Sequence, residues 1–181
     1  MTLFQTASIH DAPHIADLVN SAYRGEGSKR GWTTEADILD GQRTDTESLV
    51  NIIETPLNQI DFSINPLTQQ LLGCVHLIQE LPDTLYFGML TVAPHMQGQG
   101  FGKIMMTHIE DVARKHHLRR VRFTVIPIRG ELIAFYERRG YHSTGRFEPF
   151  PVTDPKFGLP KIEGLILKEY EKILDLPSKP C

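Results

Sequence analysis

The run Val92-Ala93-Pro94-His95-Met96-Gln97-Gly98-Gln99-Gly100-Phe101-Gly102 decides how this chain is read. An apolar segment, Thr84 to Val92, leads into it, and an amphipathic helical pattern begins at about Phe101. Glycines at alternate positions between a strand and a helix let the backbone approach a ligand with no Cβ atoms in the way. The first turn of the helix then presents unpaired N–H groups and a partial positive charge. An anion, most naturally a phosphate or pyrophosphate, suits such a place. Spacing excludes two common cradles. A dinucleotide fingerprint needs G-x-G-x-x-G and an acidic residue about twenty positions on. Here the glycines fall G-x-G-x-G, and Leu118 to Thr124 holds no acid. A P-loop needs four residues before its Gly-Lys and a hydroxyl after it. Gly98 stands one residue too close to Gly102-Lys103, and Ile104 has no hydroxyl.

The stretch resembles the acetyl-CoA signature of the GNAT superfamily of N-acetyltransferases, Gln/Arg-x-x-Gly-x-Gly/Ala, as Gln97-x-x-Gly100-x-Gly102. The Val-x-Pro that usually precedes it is present as Val92-Ala93-Pro94. A second element, Ala134-Phe135-Tyr136-Glu137-Arg138-Arg139-Gly140-Tyr141, resembles the family's F/LYxxxGF/Y motif. It follows the strand-like segment Val121 to Ile126 at the family's usual distance, and two motifs in this order make coincidence a poor account.

Outward from the glycines, the periodicities alternate between strand and helix. Leu3 to Ser8 reads as a strand and His10 to Tyr23 as a helix, with Ile15, Leu18, Val19 and Ala22 on one face. Gly25 to Gly31 is a polar loop, Thr33-x-x-Ala36 opens a short helix, and Thr46 to Glu54 reads as another. Asp61 to Ile64, Leu71 to Glu80 and Thr84 to Val92 read as strands joined by turns at Asn65-Pro66 and Leu81-Pro82-Asp83, so they pair antiparallel. A helix runs to about His116, followed by a strand at Val121 to Ile126 and a short helix at Glu131 to Arg138. A strand at Tyr141 to Phe147, a Pro-rich loop at Pro149 to Pro160 and a last segment at Leu165 to Ile173 complete the order. With no repeat and no linker, residues 1–181 read as a single α/β domain. By resemblance its sheet is mixed but mostly antiparallel, opened in a V, with helices on both faces.

Composition bounds the function. The chain has 181 residues, 40% of them apolar, enough for one core, and a net charge of −3, which implies no general nucleic-acid surface. No stretch approaches the roughly 18 apolar residues of a membrane span. Met1 to Gln5 lacks the basic and apolar regions of a signal peptide, and Cys74 and Cys181 cannot build a disulfide framework. The expectation is a cytoplasmic protein, monomer or homodimer, without nucleic-acid or membrane partners. His10 and His14 are spaced for a metal, but no HExxH pattern or carboxylate joins them, so no metal is expected. The basic run Arg114 to Arg122 reads as a solvated helix end suited to the dipole, or in part as a contact for a CoA 3′-phosphate.

The resemblance implies acetyl-CoA as cosubstrate, its pyrophosphate on backbone amides of Gln97, Gly98, Gln99, Gly100, Phe101, Gly102 and Lys103. It implies a pantetheine arm paired with the backbone of Leu90, Thr91 and Val92, the Leu90 amide serving as oxyanion donor. Tyr136 falls where the family places its general acid, and a phenol stays protonated at neutral pH. Seven residues before it, where many members carry an Asn, stands Arg129, which would meet a CoA phosphate instead. No general base is assigned: Glu80 and Tyr86 would act through water, or else are surface residues at a strand edge. The acceptor pocket falls to the loop and helices between the first two strands, in the segment Tyr23 to Arg43, with Tyr23, Arg24, Trp32, Glu35 and Arg43, and with Tyr86. Trp32 caps either a core or a ligand. The function implied is acetyl transfer to a small-molecule or peptide amine by direct attack in a ternary complex. Transfer of another acyl group, transfer to a hydroxyl, and a non-catalytic CoA-binding sensory module are the alternatives.

Overall fold

The computed structural model describes residues 3–24, 35, 37–39, 41–151 and 160–176. Their elements are β1 (Phe4–Thr6), α1 (Ala12–Tyr23), α2 (Thr46–Glu54), β2 (Asn58–Ile64), β3 (Leu71–Glu80) and β4 (Thr84–Val92). After these come α3 (Phe101–Lys115), β5 (Arg120–Val125), α4 (Gly130–Glu137), β6 (His142–Pro149) and β7 (Ile166–Ile173). The strands form one seven-stranded sheet in the order β1-β2-β3-β4-β5-β7-β6, in a single α/β domain. Only β4 and β5 pair in parallel; every other neighbouring pair is antiparallel.

Local chemistry accounts for the small departures from the sequence pattern. The Ser8 backbone N–H and hydroxyl both donate to Asp11 Oδ2, at 2.8 and 2.7 Å. The Asp11 N–H returns a bond to Ser8 O at 3.0 Å, and together these hold Ile9–Asp11 as a 3-10 turn, so the α-helix starts at Ala12 rather than His10. β2 starts at Asn58, not Asp61, because β3 is long enough to pair Asn58 with Ile78 and Gln59 with Leu77. The polar loop and short helix expected between Gly25 and Ala36 lie, except for Glu35, outside the described residues.

Each face of the sheet buries its own cluster. α3 lays Met105, Ile109 and Ala113 on Val75, Leu77, Leu85 and Phe87. α1 and α2 cover Ile60, Phe62 and Cys74 on the other face with Ile15, Val19 and Leu49. Full burial of each large aliphatic side chain contributes about 1.5–3 kcal/mol, so the i, i+3, i+4 stripe of α1 fixes which face that helix turns inward.

One irregularity makes room for a site. Cys74 pairs with Thr91 and His76 with Gly88, so Val75 alone opposes two residues, Met89 and Leu90. That is a β-bulge, and Met89 takes φ 51 to make it. Leu85 and Phe87 face α3, Met89 turns to the α1 side, and Leu90 and Val92 return to the α3 side. Beyond the pairs Thr84–Arg120, Leu85–Val121 and Tyr86–Arg122, β4 and β5 no longer pair, although both strands continue. The sheet opens there, between Gly88–Val92 on one leg and Phe123–Val125 on the other.

Candidate active site

The glycine loop lies at the open end of β4. A short 3-10 turn at Pro94–Met96 carries the chain out of the strand. The Gln97 side-chain amide donates to Val92 O at 3.0 Å and that of Gln99 to His95 O at 2.7 Å, so both glutamines brace the loop with their side chains. Gly98 and Gly100 have φ of 74° and 85°, and a Cβ on either would project into open space. Gly102 is small for a different reason: its Cβ would lie 3.1 Å from Phe135 Cζ. Gly100 is the N-cap of α3 and supplies no side-chain cap; the Lys103 N–H turns back to Gly100 O at 3.0 Å, which leaves the Phe101 and Gly102 amides at the start of a 15-residue helix without an intrahelical acceptor.

These groups line a cavity of about 380 Å³ together with Leu90, Thr91, Val92, Lys103, Phe135, Tyr136, Arg138 and Arg139. Gln97, Gly98, Gly100 and Gly102 are in its wall; Gln99 and Phe101 are not, and the Phe101 side chain is in the core. Arg138 and Arg139 were not singled out from the sequence. Arg139 lies over the Phe135 ring at 3.6 Å and donates to Phe135 O at 2.6 Å. The doubled arginine inside the Tyr136-to-Gly140 motif was the available signal. With Lys103 it gives this cavity a cationic rim.

A second cavity of about 400 Å³ opens on the other side of the gap. Tyr23, Arg24, Glu35, Arg43 and Tyr86, which the sequence scatters over more than sixty positions, all line it; Trp32 lies outside the described residues. Glu35 is held between two buried arginines: Arg24 Nη1 donates to Oε2 at 2.7 Å and Arg129 Nη1 to Oε1 at 3.0 Å. Arg129 therefore reaches both cavities while its guanidinium sits on Glu35. Glu80 is not in the wall; it is paired with Arg122, whose Nε donates at 2.6 Å. Tyr86 is in the wall, its hydroxyl 3.4 Å from Thr124 Oγ1. Phe150 and Pro151, from the start of the Pro-rich loop, complete one side.

The two cavities share Tyr23, Leu90, Arg129, Leu132 and Tyr136. The Tyr23 hydroxyl donates to Leu90 O at 2.6 Å, which anchors the bulged strand to α1. Burial, and then the nearby Glu35 charge, push the Tyr23 phenol up to about 12. Tyr136 is 5% exposed and packs at 4.1 Å from the Phe123 ring, yet its hydroxyl has no hydrogen-bond partner among the described residues. That oxygen is not among the sealed, unpartnered polar atoms, so it opens on the cavity wall. Burial also pushes its pKa well above the usual phenol value. Among the described residues no group of three or more His, Cys, Asp or Glu could hold a metal ion.

The opened sheet thus carries two cavities that meet at one bulged strand. A model of the acetyltransferase (GNAT) family matches residues 30–141, more than half of the chain. The chain belongs to that family, and it is an enzyme of the N-acetyltransferase class; the family's acyl donor is acetyl-CoA. Solved structures share the fold at low identity. The ribosomal-protein-S18-alanine N-acetyltransferase from Escherichia coli superposes with a TM-score of 0.69 at 14% identity, covering 100% of this chain and 99% of its own. Spermidine N-acetyltransferase from Vibrio cholerae, in complex with CoA and spermine, gives 0.69 at 14% over 95% of each chain. An acetyltransferase structure from Acinetobacter baylyi gives 0.67 at 18%, covering 100% of this chain and 97% of its own. No curated protein matches the sequence. No helix among the described residues is long and apolar enough to cross a membrane.

Proposed function

We propose that this chain transfers an acetyl group from acetyl-CoA, held in the glycine-loop cavity, to an amine held in the Arg43-lined cavity. The observation that carries the reading is the meeting of the two cavities at Leu90 and Tyr136. Amides of the loop and the first turn of α3 would hold the pyrophosphate, with Lys103, Arg138 and Arg139 as counter-charges. The space that a Cβ at Gly98 or Gly100 would take is the space such an anion needs.

The pantetheine arm would lie along Leu90 to Val92, in the gap that β5 leaves, as an added strand. The amine attacks the thioester carbonyl from the acceptor side. Negative charge gathers on the carbonyl oxygen, where the Leu90 N–H would receive it. The carbon–sulfur bond then breaks, and the Tyr136 hydroxyl would protonate the departing thiolate. A phenol with a raised pKa keeps its proton through the working pH range, as a donor must. Glu35, the one carboxylate in the described wall, is engaged by two arginines, so the ammonium's proton leaves through water rather than to a side chain.

Two measurements test this reading. Calorimetric titration with acetyl-CoA should show binding, and amine-dependent thiol release should show turnover. A folded protein that fails to bind acetyl-CoA overturns it.

A further inference from the structure

The acceptor-side cavity has a charge pattern that the transfer chemistry does not require. Its described wall holds three arginines, Arg24, Arg43 and Arg129, against one carboxylate, Glu35. Arg24 and Arg129 share the two oxygens of Glu35. Arg43 differs: among the described residues its guanidinium has neither a carboxylate nor a hydrogen-bond partner. It is half-buried and lies 5.6 Å above the Tyr23 ring centroid.

Nor is Arg43 a loosely tethered surface cation. Asn20 of α1 accepts from the Arg43 N–H at 2.7 Å and from the Thr44 N–H at 3.2 Å, and returns its own amide N–H to Thr44 O at 2.9 Å. This three-bond clamp fixes the backbone from which the guanidinium projects. The charge is felt nearby: His76, buried first and then opposed by Arg43, is pushed down to about 4. A positioned guanidinium with five donors and, among the described residues, no hydrogen-bond acceptor, in a wall already rich in arginine, is complementary to a carboxylate. The hydroxyl-bearing Thr44 and Ser48 also line this cavity, and Ile52, Met89 and Phe150 are among its apolar residues.

From this we infer that the acceptor is an amine that also carries a carboxylate, the carboxylate on Arg43, the amine toward Leu90 and Tyr136, and an apolar side chain against Ile52, Met89 and Phe150. Amino acids and their close analogues have that layout. A polyamine, all cation, would meet three arginines. The inference rests on the reading of this cavity as the acceptor site.

The test compares matched amines that differ only in the carboxylate: phenylalanine with phenethylamine, leucine with isoamylamine, β-alanine with ethylamine. Thiol release from acetyl-CoA should give at least one pair in which the carboxylate raises kcat/KM by about tenfold or more. Arg43→Gln should shrink that ratio toward one, mainly through KM of the carboxylate-bearing amine, and Arg43→Lys should leave it in between. The KM for acetyl-CoA serves as the internal control. N-acetylphenylalanine should also raise the melting temperature of the CoA-loaded wild type more than that of Arg43→Lys. Equal rates within every pair, a preference for spermidine or phosphoethanolamine, or a ratio indifferent to both Arg43 variants overturns the inference. So does the absence of any acetylated amine in a protein that still binds acetyl-CoA, whereas loss of that binding overturns the reading beneath it.

Discussion

The two cavities that meet at Leu90 are built in opposite ways. The glycine-loop side is largely backbone: helix amides uncapped at Gly100, a left-handed turn at Gly98, and a strand edge from Leu90 to Val92. Its specificity comes from what is missing, the Cβ atoms. The Arg43 side is largely side chain: an ion-paired wall of Arg24, Glu35 and Arg129, with tyrosines and apolar groups. A backbone cradle suits a ligand common to a whole family, because amides are present whatever the sequence. A side-chain wall suits the ligand that differs from member to member.

On that contrast, substitutions in the side-chain wall should act mainly on stability and substitutions in the loop mainly on affinity. Glu35→Gln should have the largest effect. It leaves two buried arginines, 7% and 6% exposed, without their shared carboxylate. Breaking a buried pair by removing one partner costs about 3–5 kcal/mol. Chemical denaturation would show it, and an unchanged midpoint would mean that the triad is wet and weak.

Gly100→Val should act on the other side. It puts a β-branched residue at φ 85° and fills the cradle, so acetyl-CoA affinity should fall by about a hundredfold, near 2.7 kcal/mol. Titration decides between that and a loop that needs glycine for its turn alone, in which case stability falls but affinity of the folded fraction holds. Tyr136→Phe sharpens the comparison at the junction. CoA affinity should stay while kcat drops by about a hundredfold, the scale of general-acid catalysis. Wild-type turnover in that variant would make Tyr136 a member of the Phe87–Phe123–Tyr141 aromatic cluster and nothing more.

The smallest effect is a pH slope. The His76 ring nitrogen lies 2.7 Å from Asn58 Oδ1, and burial and Arg43 depress its pKa from 6.5 to about 4. Between those values the unfolded chain binds the proton and the folded one refuses it. The stability from neutral His76 is therefore complete above pH 6.5 and is lost as the pH falls toward 4, by about 1.4 kcal/mol per unit. His76→Gln should flatten this part of the curve relative to wild type; parallel curves would show that His76 is solvated.

Most elements were legible because their patterns are local. β3 and β4 have the bounds that turn residues and alternation predict, and α1 buries the stripe its spacing predicts. The glycine loop was legible for the same reason, since its requirements are met within eleven consecutive residues. Arg129 shows where local reading stops. From sequence it stands where many members of the family carry an Asn, and it invites a phosphate. In the fold it lies on Glu35, 94 positions away, a partner that no periodicity announces. Arg138 and Arg139 were hidden by their motif, which draws attention to Tyr136 and Gly140.

The sequence by itself determined the order of strands and helices and the place of the glycine loop between β4 and α3, and it named Tyr23, Arg24, Glu35, Arg43 and Tyr86 of the second cavity's wall. Hydrophobic periodicity, turn chemistry and glycine's missing Cβ are short-range properties, and they act wherever the chain goes. Tertiary structure alone decided that β4 bulges at Met89 and parts from β5 after Tyr86, because pairing depends on what the neighbouring strand offers. It alone decided which arginine of this wall is, among the described residues, left without a carboxylate. Glu35 can neutralise only the guanidinium groups within reach, and the packing of α1, β4 and α4 brings Arg24 and Arg129 to it while Arg43 faces the cavity.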